Sequence, residues 1–198
     1  MSFLSTLASA FKGGSGSRVP LARSFVSPWS FAVEAGPFEY RGAVRRAFLD
    51  NPVAQRAVRL VAEGVGGAPL AGEAAALALV SATSAGQGLL ETLASQLLLH
   101  GNAFVQVTRD ASGAPAELFA LRPERVAVVA GADGWPEAYR YTVGEKVLTL
   151  PPEDADGWPQ AIHLKGYHPA DDHYGAGCLA AAHQAVAIHN AASAWNRA

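Results

Sequence analysis

Cysteine is almost missing from this chain: Cys178 is the only one among 198 residues. A lone thiol excludes an internal disulfide and a thiolate-based structural zinc site, and it suits a reducing compartment. Charge is scarce as well. Charged residues make up 16% of the sequence and hydrophobic residues 50%, where an ordinary soluble domain carries ~25% charged residues. Some of the apolar surface is therefore expected to lie against another chain. No stretch reaches the ~20 apolar residues of a membrane-spanning helix. The opening Met1 to Phe11 has no basic leader before the Lys12-Gly-Gly-Ser-Gly-Ser17 spacer, so it does not read as a secretory signal. The expectation is a soluble chain made in the cytoplasm, with no membrane partner.

A concentrated basic face is also lacking. Residues 1–60 carry eight Lys/Arg against three Asp/Glu, and 61–198 carry seven against fourteen, for a net charge of −2. Specific nucleic-acid readers take most of their affinity from phosphate neutralisation, so this chain does not grip DNA by charge. A conduit along which DNA must slide is compatible with that balance. The Gly-rich pieces at 13–16 and 64–67 match neither a phosphate-binding loop nor a dinucleotide fingerprint, since no Gly-Lys-Ser/Thr follows either one.

What is present reads as an α+β chain. Phe3, Leu4, Leu7 and Phe11 fall on one helical stripe, so 2–11 reads either as a short amphipathic helix, tied on by the spacer and docking on a neighbour, or, more simply for a terminus, as a mostly disordered tail. Residues 18–50 have no clear period and read as extended chain, giving an N-terminal arm over 1–50. Order begins at Asn51-Pro52, an N-cap followed by proline at the first helical position. The helix is expected to run to about Glu63, with Val53, Ala57, Leu60, Val61 and Gly64 on one side. A second helix, Leu89 to His100, closes on Gly101-Asn102. Period-two segments then follow at 103–108, 117–121, 125–130, 138–143, 146–150 and 161–165. Strands after helices predict an α+β domain with an antiparallel meander sheet over 51–165. A loop and a long Ala-rich helix occupy 166–198. From Cys178 onward that helix carries Arg197 as its one charge. Small residues on all sides mark it for helical partners. The pattern reaches Trp195-Asn-Arg-Ala198 without a C-cap, and the expectation is that the natural polypeptide continues.

Few constellations carry chemistry. His163, His168 and His173 recur beside Asp171 and Asp172, and a metal hydrolase is the reading they would support. In a loop punctuated by Gly166, Pro169 and Gly175, backbone hydrogen bonding is the simpler role. Cys178 opens a helix without a nucleophile signature and reads as a small hydrophobe. No catalytic residue, cofactor or metal ligand is assigned. Gly101-Asn102 most simply ends a helix.

In order along the chain stand Asn51-Pro-Val-Ala-Gln-Arg-Ala-Val-Arg-Leu-Val-Ala-Glu63, Ala68-Pro-Leu70, Leu97-Leu-Leu-His-Gly-Asn-Ala-Phe104, Leu118-Phe-Ala-Leu-Arg-Pro123 and Ile162-His-Leu-Lys165. Together with His168-Pro-Ala-Asp-Asp-His-Tyr-Gly-Ala-Gly-Cys-Leu179, these segments resemble the portal proteins of HK97-type tailed phages and gene transfer agents. The resemblance covers about 50–198. It marks Asn51, Pro52, Gly101, Asn102, His163, Gly175 and Gly177 as structural motif positions. It departs from the family at Ala176-Gly-Cys178, where portals tend to have Ser-Pro. The family's clip, complete stem and crown have no counterpart here.

The resemblance implies a wing-like domain over 51–165 and the start of a stem helix after 166. It implies a non-enzymatic subunit of a closed ring, typically dodecameric, at the portal vertex of a virion or phage-like particle. Capsid protein and head-tail adaptors would bind outside the ring, and double-stranded DNA pumped by the terminase large subunit would pass through it. If the last helix lines the channel, Arg197 would be its phosphate contact. The rival reading is a protein-interaction module unconnected with DNA packaging.

Overall fold

The computed structural model describes residues 42, 44–84 and 86–196. The candidate helix or disordered tail over 2–11, the rest of the arm to residue 41, and Arg197 lie outside the described residues. Arg45–Leu49, expected as extended chain, forms a single π-helical turn, with Ala47 buried. Helix α1 (Pro52–Gly66) follows, then a short α2 (Ala74–Val80) and a small hairpin of β1 (Thr83–Ser84) and β2 (Gln87–Gly88). Helix α3 (Leu89–His100) leads into β3 (Asn102–Arg109) and β4 (Pro115–Leu121). Strands β5 (Val126–Ala130), β6 (Pro136–Val143), β7 (Lys146–Leu150) and β8 (Ala161–Lys165) come next, and helix α4 (Cys178–Trp195) closes the described chain.

The class is α+β and every strand pairing is antiparallel. The six long strands are shared between two sheets, ordered β4-β3-β8 and β5-β6-β7. Only the second is a simple meander. After β7 the chain returns to the open edge of β3, guided by the 151–160 loop. Arg109 of β3 fastens that loop, pairing with Asp154 at 2.9 Å and lying over the Trp158 ring at 5.2 Å. The backbone N–H groups of Trp158 and Asp156 hold the Asp154 carboxyl below its ordinary range, helped by Arg109.

Strand β3 is the centre of the molecule, and its alternation explains both cores. Ala103 and Val105 face α3, packing with Leu89 and Leu93. Phe104 points the other way, into a cluster with Leu121, Val126, Tyr139, Leu150 and Ala161 that joins the two sheets. Phe104 meets Tyr139 edge to face at 5.7 Å. Burial on both faces is why four consecutive residues, Asn102 to Val105, are buried.

Helix α1 departs from expectation in which side it buries. Its buried stripe is Ala54, Val58 and Ala62, against α3. Of the expected stripe, Val53, Leu60 and Val61 are 62%, 59% and 50% exposed. Small residues let the two helices approach closely. Gly66 does the same in the last turn, where a Cβ would lie 3.0 Å from the Glu91 Cβ. The helix thus runs three residues past Glu63, to Gly66. Helix α4 has no buried residue.

Candidate functional site

The motif residues gather at the two ends of α4. The first gathering lies where α3 turns into β3. Gly101 caps α3 with φ +71° and donates its N–H to the Leu97 carbonyl. That left-handed conformation favours glycine, and the surroundings require it. A Cβ on Gly101 would sit 2.4 Å from the Ala176 carbonyl carbon and the Gly175 oxygen. One on Gly175 would meet the Gly101 oxygen at 2.1 Å, and one on Gly177 would meet the Leu99 oxygen at 2.8 Å. Gly166 joins them, donating to the Gly101 oxygen at 2.7 Å. Backbone lies directly on backbone here, so no side chain can intervene.

Asn102 binds this knot together. It is buried, and its amide uses every hydrogen-bonding position it has. Its Oδ1 accepts from the Gly175 N–H at 2.8 Å and from His163 Nε2 at 3.0 Å. Its Nδ2 donates to the carbonyls of His100 at 2.9 Å and Gly175 at 3.2 Å. Because Oδ1 can only accept, His163 is the tautomer with its proton on Nε2. The His163 ring stacks on Phe104 at 4.1 Å and stands edge-on to Tyr139 at 5.7 Å. Burial, reinforced by neighbouring Lys165 and His173, pushes the His163 imidazole down to about 4. It is therefore a neutral donor at physiological pH.

The 166–177 loop is fastened by its own polar groups. Asp171 Oδ1 accepts from the N–H of His173 at 2.7 Å and of Tyr174 at 3.0 Å. The Tyr174 hydroxyl accepts from the Val128 N–H at 2.9 Å, tying the loop to the second sheet. Lys165 Nζ donates to the Asp172 carbonyl, and His168 Nδ1 accepts from the Ala170 N–H. His173 is 5% exposed and neither ring nitrogen has a hydrogen-bond partner. Among the described residues no three His, Cys, Asp or Glu side chains are placed to hold a metal ion. Cys178 donates its thiol to the Leu98 carbonyl at 3.2 Å, at the point where α4 leaves the knot.

The second gathering holds the far end of α4. Asn51, 2% exposed, accepts the Ala54 N–H on Oδ1 at 2.9 Å, which caps α1 ahead of Pro52. Its Nδ2 reaches across to α4, donating to Asn190 Oδ1 at 2.9 Å and His189 Nδ1 at 3.0 Å. Asn190 in turn donates to the Arg46 carbonyl at 3.0 Å. Asn190 and His189 escaped the sequence reading, which placed Gly166 and Tyr174 in the loop without giving them these contacts. The available signal was an asparagine inside an Ala-rich helix, where it disfavours helix unless it has a bond to make.

The arrangement gives the Cys178 thiol a backbone carbonyl as its hydrogen-bond partner. What it does is fix the pose of one helix from both ends. Between the clasps α4 stands away from α1 over an apolar groove of about 440 Å³.

The sequence model of the family described as "Phage portal protein" matches residues 52–198. The chain belongs to the phage portal protein family. Relatives of this portal-family chain include uncharacterized proteins of Rickettsia bellii (strain RML369-C) and Rickettsia felis (strain ATCC VR-1525 / URRWXCal2). They are 29% and 28% identical over 165 residues, which is 76% of this chain and 42% of each relative. Among solved structures, it is similar to a chain of the virion of a native gene transfer agent particle. The identity is 41% and the TM-score 0.73, covering 82% of this chain and 45% of that one. A chain from the neck of a native gene transfer agent particle, computed with C12 symmetry, is 40% identical, with a TM-score of 0.72 and the same coverage. The portal-family chain described here thus spans less than half the length of the relatives and structures it matches.

Proposed function

We propose that this chain is part of a structural subunit of a portal ring, through which DNA enters and leaves a phage-like particle of the gene transfer agent kind. The similarity to chains of a gene transfer agent virion and neck, at 40–41% identity, carries this reading. Portal proteins are structural, and the clasped helix fits a load-bearing role with no chemistry of its own. Residues 51–165 would form a wing-like domain and α4 the start of a stem. Copies would pack head to tail in a closed ring, each presenting one surface to a different surface of its neighbour. A dodecamer agrees with the C12 symmetry of that neck. Capsid protein and head-tail adaptors would bind outside, the terminase large subunit would dock during packaging, and double-stranded DNA would pass through without sequence recognition. The subunit would act at the portal vertex after synthesis in the bacterial cytoplasm.

Helix α4 has no Asp, Glu, Lys or Arg between Cys178 and Trp195, which supports close contact with neighbouring helices and a wall that does not hold phosphate. Arg197 would be the phosphate contact at its end. The test is to tag the polypeptide in its host, purify particles, and ask whether it co-purifies at one vertex, with native mass spectrometry giving a closed-ring mass. A monomer that never enters particles would favour the interaction-module reading instead. DNA packaging that is unchanged by Arg197→Ala would remove the phosphate role.

A further inference from the structure

The apolar groove between α1 and α4 is an unexplained surface. Its walls include Val53, Ala57 and Val61 from α1 and Leu179, Ala182 and Val186 from α4. Val53 and Val61 are half exposed or more. Among the described residues no Asp, Glu, Lys or Arg lines it. The two ends of α4 are held by polar clasps, so the groove stays open by construction. An apolar surface of this kind calls for an apolar occupant.

The first eleven residues have the matching chemistry. Residues 2–11 carry no charge, and Phe3, Leu4, Leu7 and Phe11 recur at helical spacing. A ten-residue helix is ~15 Å long. The groove runs along α4 from Cys178 to His189, ~16 Å at the same rise. The described chain also begins beside the groove. The π-helical turn at Arg45–Leu49 packs against both α1 and α4, the two helices that form its walls. Residues 12–41 connect the two regions, and a segment of that length can extend to at most ~100 Å, well beyond the length of the groove. That reach spans the groove from its edge.

We infer that residues 2–11 of the same polypeptide seat in the α1/α4 groove, placing Phe3, Leu7 and Phe11 against Val53, Val61 and Leu179. The inference does not depend on the portal reading. It makes α4 a helix packed by its own chain's N-terminus between the clasps. Tethering favours the intramolecular partner, because a short flexible connection gives an effective concentration in the mM range.

The chain supplies its own reporter. Cys178, the only cysteine, lines the groove and is exposed in the described structure. A seated N-terminus covers it, so its reaction with a thiol reagent should be slow in the 198-residue chain. It should be about tenfold faster in Phe3→Asp/Leu7→Asp, if a segment with a Kd near 0.1 mM is tethered at mM effective concentration. Both changes lie outside the described fold, so it stays intact in the variant. A second measurement uses Leu7→Cys, which should form a disulfide with Cys178 within one molecule under mild oxidation, faster than Ser15→Cys in the spacer. Equal thiol rates in the two chains would overturn the inference. Protection that grows with protein concentration, or a disulfide between two molecules, would assign the groove to a second copy and overturn it as well.

Discussion

Replacing Asn102 by alanine removes four hydrogen bonds at once, the two to Gly175 buried and the two to His100 and His163 partly buried. The Gly175 N–H and the His163 Nε2–H lose their acceptor, and the carbonyls of His100 and Gly175 lose a donor. A buried group left unpaired costs about 1–3 kcal/mol, with carbonyls tolerated better than donors. Two orphaned donors and two weakened acceptors then give a loss of about 3–5 kcal/mol, a large share of the ~5–15 kcal/mol that holds a domain together. Urea unfolding at pH 7.5, followed by tryptophan fluorescence, should show a lower midpoint with an unchanged slope. Thr142→Ala, at an exposed position of β6, is the control and should change little. Asn102→Asp separates the contributions further. It keeps the acceptor but loses both donors and sets a carboxylate against His163, so the imidazole should gain its proton at higher pH than in the parent. A loss below about 1 kcal/mol in the alanine variant would refute the view that Asn102 is the bond centre of the knot.

Two other perturbations follow from the same region. Gly101→Ala places a Cβ 2.4 Å from backbone atoms at φ +71°, whereas Gly113→Ala has a similar φ of +83° with nothing within 4 Å. The first should cost several times the second, about 3 kcal/mol or more against about 1, and equal losses in thermal unfolding would show that strain alone decides. Acid should also weaken the fold. Burial holds folded His163 at about 4 against an ordinary value near 6.5, so the unfolded chain binds the proton first. Stability is complete above about pH 6.5 and falls as pH drops toward about 4, by about 3 kcal/mol at 1.36 kcal/mol per unit. His100, also held down by burial, adds to the same fall. A flat stability profile from pH 7 to 4.5 would count against both.

How much of this was legible depended on whether a signal was local. Asn51-Pro52 and Gly101-Asn102 are punctuation that works over four residues, and α1 and α3 begin and end close to where those residues put them. The strands at 146–150 and 161–165 were bounded correctly, because alternation is a property of the segment itself. The partner of β8 was not legible. Its pairing with β3 joins Gln106 to Ala161, 55 residues apart, and no local period carries that. The face of α1 was misread for a similar reason. The larger side chains Val53, Leu60 and Val61 looked like the core, yet the alanines were chosen by the close approach of α3. Helix α2 was missed because seven residues without a cap show no period. The site residues were named one by one, but the sequence contained nothing to say that seven of them serve one helix.

That convergence makes a last prediction possible. Helix α4 buries no residue along its length, so its pose leans on the polar contacts at its ends more than on its packing against α3 and the Arg45–Leu49 turn. Asn51 holds the end at His189 and Asn190, and Asn102 holds the loop that delivers Cys178. The clasps lie ~17 Å apart along the helix axis, counting 1.5 Å per residue, far enough for changes in global stability to add within about 0.5 kcal/mol. Local protection of α4 should behave otherwise. With one clasp intact, the helix is still tethered and reforms its contacts quickly. With both removed, as in Asn51→Asp/Asn102→Ala, only packing along its length is left to direct it. Asn51→Asp is the better choice at the first position, because its carboxylate still caps α1 while losing the amide that reaches Asn190. Hydrogen exchange over 179–190 should therefore speed up modestly in each single variant and by more than the product of the two effects in the double variant. Simple multiplication would mean that packing along its length, rather than the two clasps, holds α4.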